Sequence, residues 1–305
     1  MPDRGSHVAD LRVAVIGVGH LGKHHARILG DLPDAKLVAV VDPNAERASA
    51  AASASGARAL ADYRDLFGQV DAVTVATPTE LHREVAMPFL ERGISVLVEK
   101  PMTRTLDEAD ALLAAAAASG ATFAVGQTER YNPAIATVMP FVTTPRFIEV
   151  HRLGVFPDRS LDIDVVFDLM IHDLDIILAL VKAEPTSIEA VGVPVLTDKF
   201  DIANVTASRI SKERVRKIRF FQPDAYVSID YAEQEVEGHR LIRREGERPQ
   251  IQGGKLPVTR EEPLKRELSD FVQAVRQQRK PLVTGEDGRR ALALAQAIAD
   301  KMETV

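Results

Sequence analysis

Three short stretches hold the residues best able to do chemistry. The first is Gly17-Val18-Gly19-His20-Leu21-Gly22, a G-x-G-x-x-G run behind the apolar stretch Leu11 to Ile16 and ahead of a helix-like segment. In that setting the first glycine permits a tight turn, the second lets backbone N–H groups approach a pyrophosphate, and the third lets helix and strand pack closely. The helix start adds partial positive charge toward the phosphates. Asp42 ends the next apolar stretch, 20 residues beyond Gly22. Its carboxylate is placed to accept hydrogen bonds from an adenosine ribose. An acid there repels a 2′-phosphate, so the expected cofactor is NAD, although Arg47, one turn into the following helix, works against that preference. The alternative is a turn-rich fold with no ligand, in which Asp42 merely caps the turn before Pro43.

The second stretch comprises Thr77-Pro78-Thr79 and Glu99-Lys100-Pro101, each directly after an apolar run. Loops at the carboxyl ends of parallel strands are where ligands bind in such sheets, which places Thr77, Pro78, Glu99 and Lys100 near the cofactor. A residue before proline is conformationally restricted, so Lys100 would be held rigidly at the nicotinamide end. The competing reading is a surface lysine paired with Glu99.

The third stretch is the apolar segment Val165 to Val181, interrupted by Asp168, His172, Asp173 and Asp175. At about 100° per residue, Asp164, Asp168, His172 and Asp175 share one stripe of a helix, with Asp173 on the far side. An Asp four residues before a His lets a carboxylate orient an imidazole and favour its charged form, a proton-handling unit. A purely structural Asp–His bond fits the spacing equally well. His82 opens the helix after Thr77-Pro78-Thr79 and is expected to shape the nicotinamide pocket. His20, His24 and His25 line the cofactor cleft or simply pack. No H-E-x-x-H pattern, P-loop or G-x-S-x-G element occurs, so no metal site is expected.

The elements that must position these residues alternate over the first 125 positions. Short apolar strands (around 11–16, 37–41, 57–59, 72–76, 95–98 and 122–125) alternate with helices (21–29, 45–54, 81–92 and 106–119). That is a βαβ rhythm, and it predicts a doubly wound parallel Rossmann sheet in an α/β domain spanning 1–125. From 126 to 305 the texture changes to one long helix, Val165 to Val181, and a meander of strands near 147–152, 188–193, 203–210, 215–221 and 225–231. Residues 243–258 read as a loop, and two closing helices follow. The prediction there is an α+β domain with a mostly antiparallel open sheet. Met1 to Ala9 reads as a frayed tail.

Composition removes several function classes. With 38 Lys plus Arg against 44 Asp plus Glu, the net charge is −6, which disfavours a sequence-independent grip on nucleic acid. The absence of cysteine removes disulfides, thiolate nucleophiles and Cys-type metal sites. No apolar run reaches the ~20 residues of a membrane helix, and no signal peptide is evident. A cytoplasmic location is expected.

Together these residues resemble the Gfo/Idh/MocA oxidoreductase family. The resemblance is carried by the glycine run, Ala76-Thr77-Pro78-Thr79 with Leu81-His82, Glu99-Lys100-Pro101, Glu129-Arg130-Tyr131-Asn132-Pro133, Asp168-x-x-x-His172 and the region from Pro281 to Ile298. It implies NAD-dependent oxidation of a sugar hydroxyl, with Lys100, Asp168 and His172 as the catalytic set and a cis bond at Lys100–Pro101. It also implies a homodimer or homotetramer formed through the open sheet. Many members carry Gly-Gly shortly before Asp-x-x-x-His; here Asp164-Val165-Val166-Phe167 stands instead. That segment is similar to members acting on the 3-hydroxyl of nucleotide-linked amino sugars such as UDP-N-acetylglucosamine. Two substrate phosphates would then need cations, for which Arg130, Arg152 and Arg159 are candidates beside Lys100 and His172. A free sugar or inositol substrate, or a non-catalytic NAD-binding sensor, are the alternatives.

Overall fold

The computed structural model describes residues 10–154, 164–194, 200–203, 207–208 and 215–304. The chain forms two compact units, Met1–Gly126 with Leu264–Gly285, and Gln127–Pro263 with Glu286–Val305.

The first unit contains β1 (Leu11–Ile16), α1 (Gly22–Asp31), β2 (Ala35–Val41), α2 (Ala45–Ser55), β3 (Arg58–Leu60), β4 (Ala72–Val75), α3 (His82–Leu90), β5 (Ser95–Glu99), α4 (Leu106–Ser119) and β6 (Phe123–Gly126). Its six strands run in the order β3-β2-β1-β4-β5-β6, and every pair is parallel. The strands β4, β5 and β6 are buried along their whole length, which is why they read as unbroken apolar runs. The order reverses direction between β1 and β4. The carboxyl ends of these two strands are the expected ligand site of such a sheet. The helices are bounded by local chemistry: Asn44 and Thr105 cap α2 and α4 through side-chain oxygens, and left-handed Gly56 and Gly120 end them.

The second unit opens with α5 (Pro133–Val138) and β7 (Phe147–Leu153). A π-helical stretch, Val166–Met170, then runs into α6 (Ile171–Val181). The strands β8 (Val191–Pro194), β9 (Phe200–Ala203), β10 (Ala207–Ser208), β11 (Val215–Phe221), β12 (Ala225–Asp230), β13 (Glu235–Ile242) and β14 (Gln250–Leu256) follow. With β7 and the two-residue β15 (Glu303–Thr304) they form an open sheet ordered β14-β13-β12-β11-β7-β10-β9-β8-β15. Its pairs are antiparallel except β10–β7 and β15–β8. One face is apolar: Val150, Ile218, Phe220, Val227 and Ile229 pack against Ile135, Val138, Ile176 and Leu180 of the helices. The segment read as a loop contains β14. It escapes a hydropathy reading because it is an edge strand with little burial and two glycines. A Cβ on Gly253 would lie 2.0 Å from Gly238 O, so only a bare backbone fits that crossing.

Two helices close the chain, α7 (Pro263–Arg276) and α8 (Gly285–Lys301). Here the domain expectation needs correcting, because Leu264–Gly285 belongs to the first unit. Leu268, Phe271 and Val272 of α7 are buried in the same core as Leu11, Val13, Leu29 and Leu37. Arg276 donates to Asp34 O at 2.9 Å. Ile28 and Leu29 of α1 lie in that core too, so the apolar stripe of α7 adds to the helical cover of the first sheet. Ala291, Ala295 and Ile298 of α8 pack instead with Val165, Met170 and Leu174 of the second unit.

Candidate cofactor and catalytic sites

The glycine run turns from β1 into α1 at the carboxyl end of β1. Gly17 has φ +83°, and a Cβ there would stand 2.8 Å from the Ala76 carbonyl group. Gly22 is more constrained still: a Cβ would lie 1.7 Å from Gly17 O, so α1 can begin against the loop only with glycine. Gly19 differs, since its missing Cβ faces open space with only the Arg47 guanidinium 3.9 Å away. One glycine thus makes the turn, one the packing, and one leaves room above the backbone for a ligand. His20 and Leu21 are exposed on the same turn.

Asp42 follows β2 and is buried. Its Oδ2 accepts the Val18 N–H at 3.0 Å and its Oδ1 accepts the Asn44 N–H at 2.9 Å. Each carboxylate oxygen retains acceptor capacity for a ribose hydroxyl. Beside it lies a cavity of 680 Å³ bordered by Val18 and Gly19, the cationic Lys23, Arg27 and Arg47, His20 and His24, and an alanine wall from α2. The lining is cationic and carries no acid, an environment suited to phosphates. At the end of β4, the Thr77 hydroxyl is buried without a hydrogen-bond partner among the described residues. A buried hydroxyl in that state marks a place for an outside partner. The turn, the acceptor, the cations and this hydroxyl together fit a dinucleotide.

Asp42→Ala is expected to weaken NADH binding about tenfold or more, the size of one lost charge-assisted hydrogen bond. It should also reduce discrimination against NADPH, as read by fluorescence titration of both cofactors.

His82 and Glu99 both make buried contacts within the first unit. His82 has Nδ1 3.0 Å from Pro101 O and Nε2 2.9 Å from Thr77 O. Burial lowers its pKa, and the ring braces the two loops instead of presenting a polar atom to a ligand. Pro78 is exposed, and Lys100 is half-buried. Glu99 is buried, with Oε1 3.0 Å from His25 Nε2. The Lys100–Pro101 peptide is cis.

In the second unit the π turn alters the expected stripe. The Ile171 N–H bonds back to Val166 O, five residues away, so an extra residue enters the turn between Asp168 and His172. Asp168 and His172 are both half-buried, whereas Asp173 and Asp175 are sealed. Asp175 does not join Asp168 and His172. It takes a two-pronged bond from Arg130, at 2.8 and 2.6 Å. Asp173 does the same with Arg152, at 2.5 and 2.9 Å. Arg152 also reaches Glu129 at 3.3 Å and faces the Tyr231 ring at 5.4 Å. Burial opposes the Arg152 charge, but Asp173 and Glu129 more than offset it and raise its pKa. Arg130 and Arg152 are therefore spent on buried carboxylates, and the expectation that they grip substrate phosphates is corrected. Arg159 lies outside the described residues, as do Met1 to Ala9. His25 was read only as lining the cleft or packing. One further residue escaped the sequence reading. Gln127, just after β6, has a buried carboxamide with no hydrogen-bond partner among the described residues.

A family profile described as an oxidoreductase family with an NAD-binding Rossmann fold, Gfo/Idh/MocA, matches residues 11–127. The chain is also 39% identical over 301 residues to the UDP-N-acetylglucosamine 3-dehydrogenase of Acidithiobacillus ferrooxidans, covering 93% of this chain and 95% of that protein. The chain belongs to the Gfo/Idh/MocA family. As a member it is an NAD-binding oxidoreductase. A solved structure of the Acidithiobacillus ferrooxidans enzyme superimposes with a TM-score of 0.89 over 96% of this chain and 98% of that one, at 37% identity. Inositol 2-dehydrogenase of Rhizobium meliloti is 28% identical over 319 residues, covering 94% of this chain and 95% of that protein. Among the described residues no helix is long and apolar enough to cross a membrane.

Proposed function

We propose that this family member oxidises the 3-hydroxyl of UDP-N-acetylglucosamine with NAD. The carrying observation is the 39% identity over 93% of the chain with an enzyme of that name, against 28% over 94% of the chain for an inositol dehydrogenase. Bound nicotinamide supplies the hydride acceptor. Lys100 donates a hydrogen bond to the reacting hydroxyl and stabilises the alkoxide charge that develops there. His172 accepts the hydroxyl proton, and Asp168 orients its ring. The test is NADH formation with UDP-N-acetylglucosamine, free N-acetylglucosamine and myo-inositol side by side. The nucleotide sugar is expected to be oxidised at a kcat/KM at least about 10²-fold above either free compound, a difference of roughly 2.7 kcal/mol in transition-state binding. Equal turnover of the free sugar would defeat the nucleotide-sugar reading and leave the oxidoreductase assignment intact.

The partner is expected to be a second copy of the chain, joined through the outer face of the open sheet. Phe147, Phe221, Tyr226 and His239 form one cross-strand row there, with neighbouring ring centroids 5.6, 5.0 and 6.1 Å apart. Phe147 is 60% exposed. Ion pairs flank the row, Arg219–Glu149 at 2.9 Å and Lys217–Asp230 at 3.5 Å. An aromatic centre with a charged rim is the usual anatomy of a protein interface. Light scattering is expected to return two or four times the 33.3 kDa chain mass, and a monomer would exclude this use of the face.

A further inference from the structure

His25 lies on α1, outside the chemistry assigned above, and is fully buried. Its Nε2 stands 3.0 Å from Oε1 of Glu99, the last residue of β5. The other Glu99 oxygen, Oε2, accepts the backbone N–H of Lys100 at 3.3 Å. Glu99 is itself buried. A buried carboxylate without a donor is strongly disfavoured, and the imidazole N–H supplies that donor. Nδ1 of His25 has no hydrogen-bond partner among the described residues, so the ring has a single polar task. The neighbouring strand accommodates the pair. Gly126 sits opposite Glu99 in the β5–β6 register, and a Cβ there would come within 3.0 Å of Cδ and both carboxylate oxygens. On the other side of the same corner, His82 braces the Pro101 carbonyl.

We propose that His25 is a positioning residue for Lys100. It fixes the Glu99 carboxylate, which in turn fixes the Lys100 amide and so the direction in which the lysine leaves the strand. The arrangement distinguishes this role from packing. A core position served by volume alone is best filled by an aliphatic side chain, whereas here one ring nitrogen meets a carboxylate one residue from the lysine. The inference rests on the role proposed for Lys100.

The experiment compares His25→Leu, which keeps volume and removes the donor, with His25→Gln, whose amide N–H can reach Glu99. A misplacement of ~1 Å in an active site can cost about 10²-fold in rate. His25→Leu is accordingly expected to lower kcat by about 10- to 100-fold, with KM for the nucleotide sugar and Kd for NADH within about threefold of the parent. His25→Gln should recover most of kcat. In a Lys100→Ala background, His25→Leu should add no further loss, because both changes then remove one function. A folded His25→Leu protein with kcat within about twofold of the parent overturns the proposal. So does a His25→Gln protein no better than the leucine variant, or full additivity with Lys100→Ala. If His25→Leu does not fold, Glu99→Gln carries the test: its kcat should fall several-fold at unchanged Kd for NADH, and an unchanged kcat is the overturning result. Full activity of Lys100→Ala alone would remove the functional reading itself, a failure visible without any change at His25.

Discussion

Lys100→Ala and His172→Ala are each expected to lower kcat by about 10²-fold or more, with NADH affinity near that of the parent protein. A removed oxyanion donor typically costs about 10²–10³ in kcat, and a removed general base about 10²–10⁴. The cofactor contacts argued above lie elsewhere, in the glycine turn, Asp42, Thr77 and the cationic cavity beside α1, so neither substitution touches them. Direct titration with NADH separates the two effects, since a variant that binds the dinucleotide and does not turn over has lost chemistry alone. Asp168→Asn should retain the shape of the site while weakening the orienting bond, giving a smaller kcat loss than His172→Ala. A residue whose alanine variant turns over normally has no place in the reaction.

The first unit was legible because its signals are local. Glycines with three separate steric tasks fall within six residues, and strands buried on both faces are continuous apolar runs. The return of α7 was not legible, since an amphipathic helix announces that it will be covered but not by what. The edge strand β14 was hidden for the opposite reason: it pairs along one side only and buries too little to leave an apolar pattern. The helix of Asp168 and His172 was found, but a uniform 100° step cannot anticipate a π turn between them, and the stripe gave no sign that Arg130 would claim Asp175. The arginines failed through a limit of composition arguments. A guanidinium suits a phosphate and a carboxylate alike, and only the fold reveals that Asp173 and Asp175 had already claimed Arg152 and Arg130. His25 is the same lesson in reverse, a side chain read as cleft lining or packing and given a partner by a glutamate 74 positions later.

The claim on Arg152 has a large measurable consequence. Arg152 and Asp173 are both buried, on β7 and α6, with Glu129, Arg216 and Tyr231 around them. Removing one partner of such a pair strands the other charge away from water, and that typically costs about 3–5 kcal/mol. Asp173→Ala is therefore expected to destabilise the second unit by about that amount, measured by denaturant unfolding at pH 7. The double replacement Arg152→Met with Asp173→Leu removes both charges and fills the space. It should recover much of the loss, because exchanging a buried pair for apolar side chains is often close to neutral. The comparison also decides between the two uses of Arg152. If Arg152 bound phosphate, Arg152→Met alone would be stable, with a raised KM and an unaltered unfolding midpoint. A structural arginine gives a shifted midpoint in the single variant, partial restoration in the double, and an apparent kcat that follows the folded fraction at unchanged KM. The second pattern is expected, because a guanidinium already engaged by Asp173 through two nitrogens and by Glu129 through a third would have to break buried bonds before it could meet a substrate.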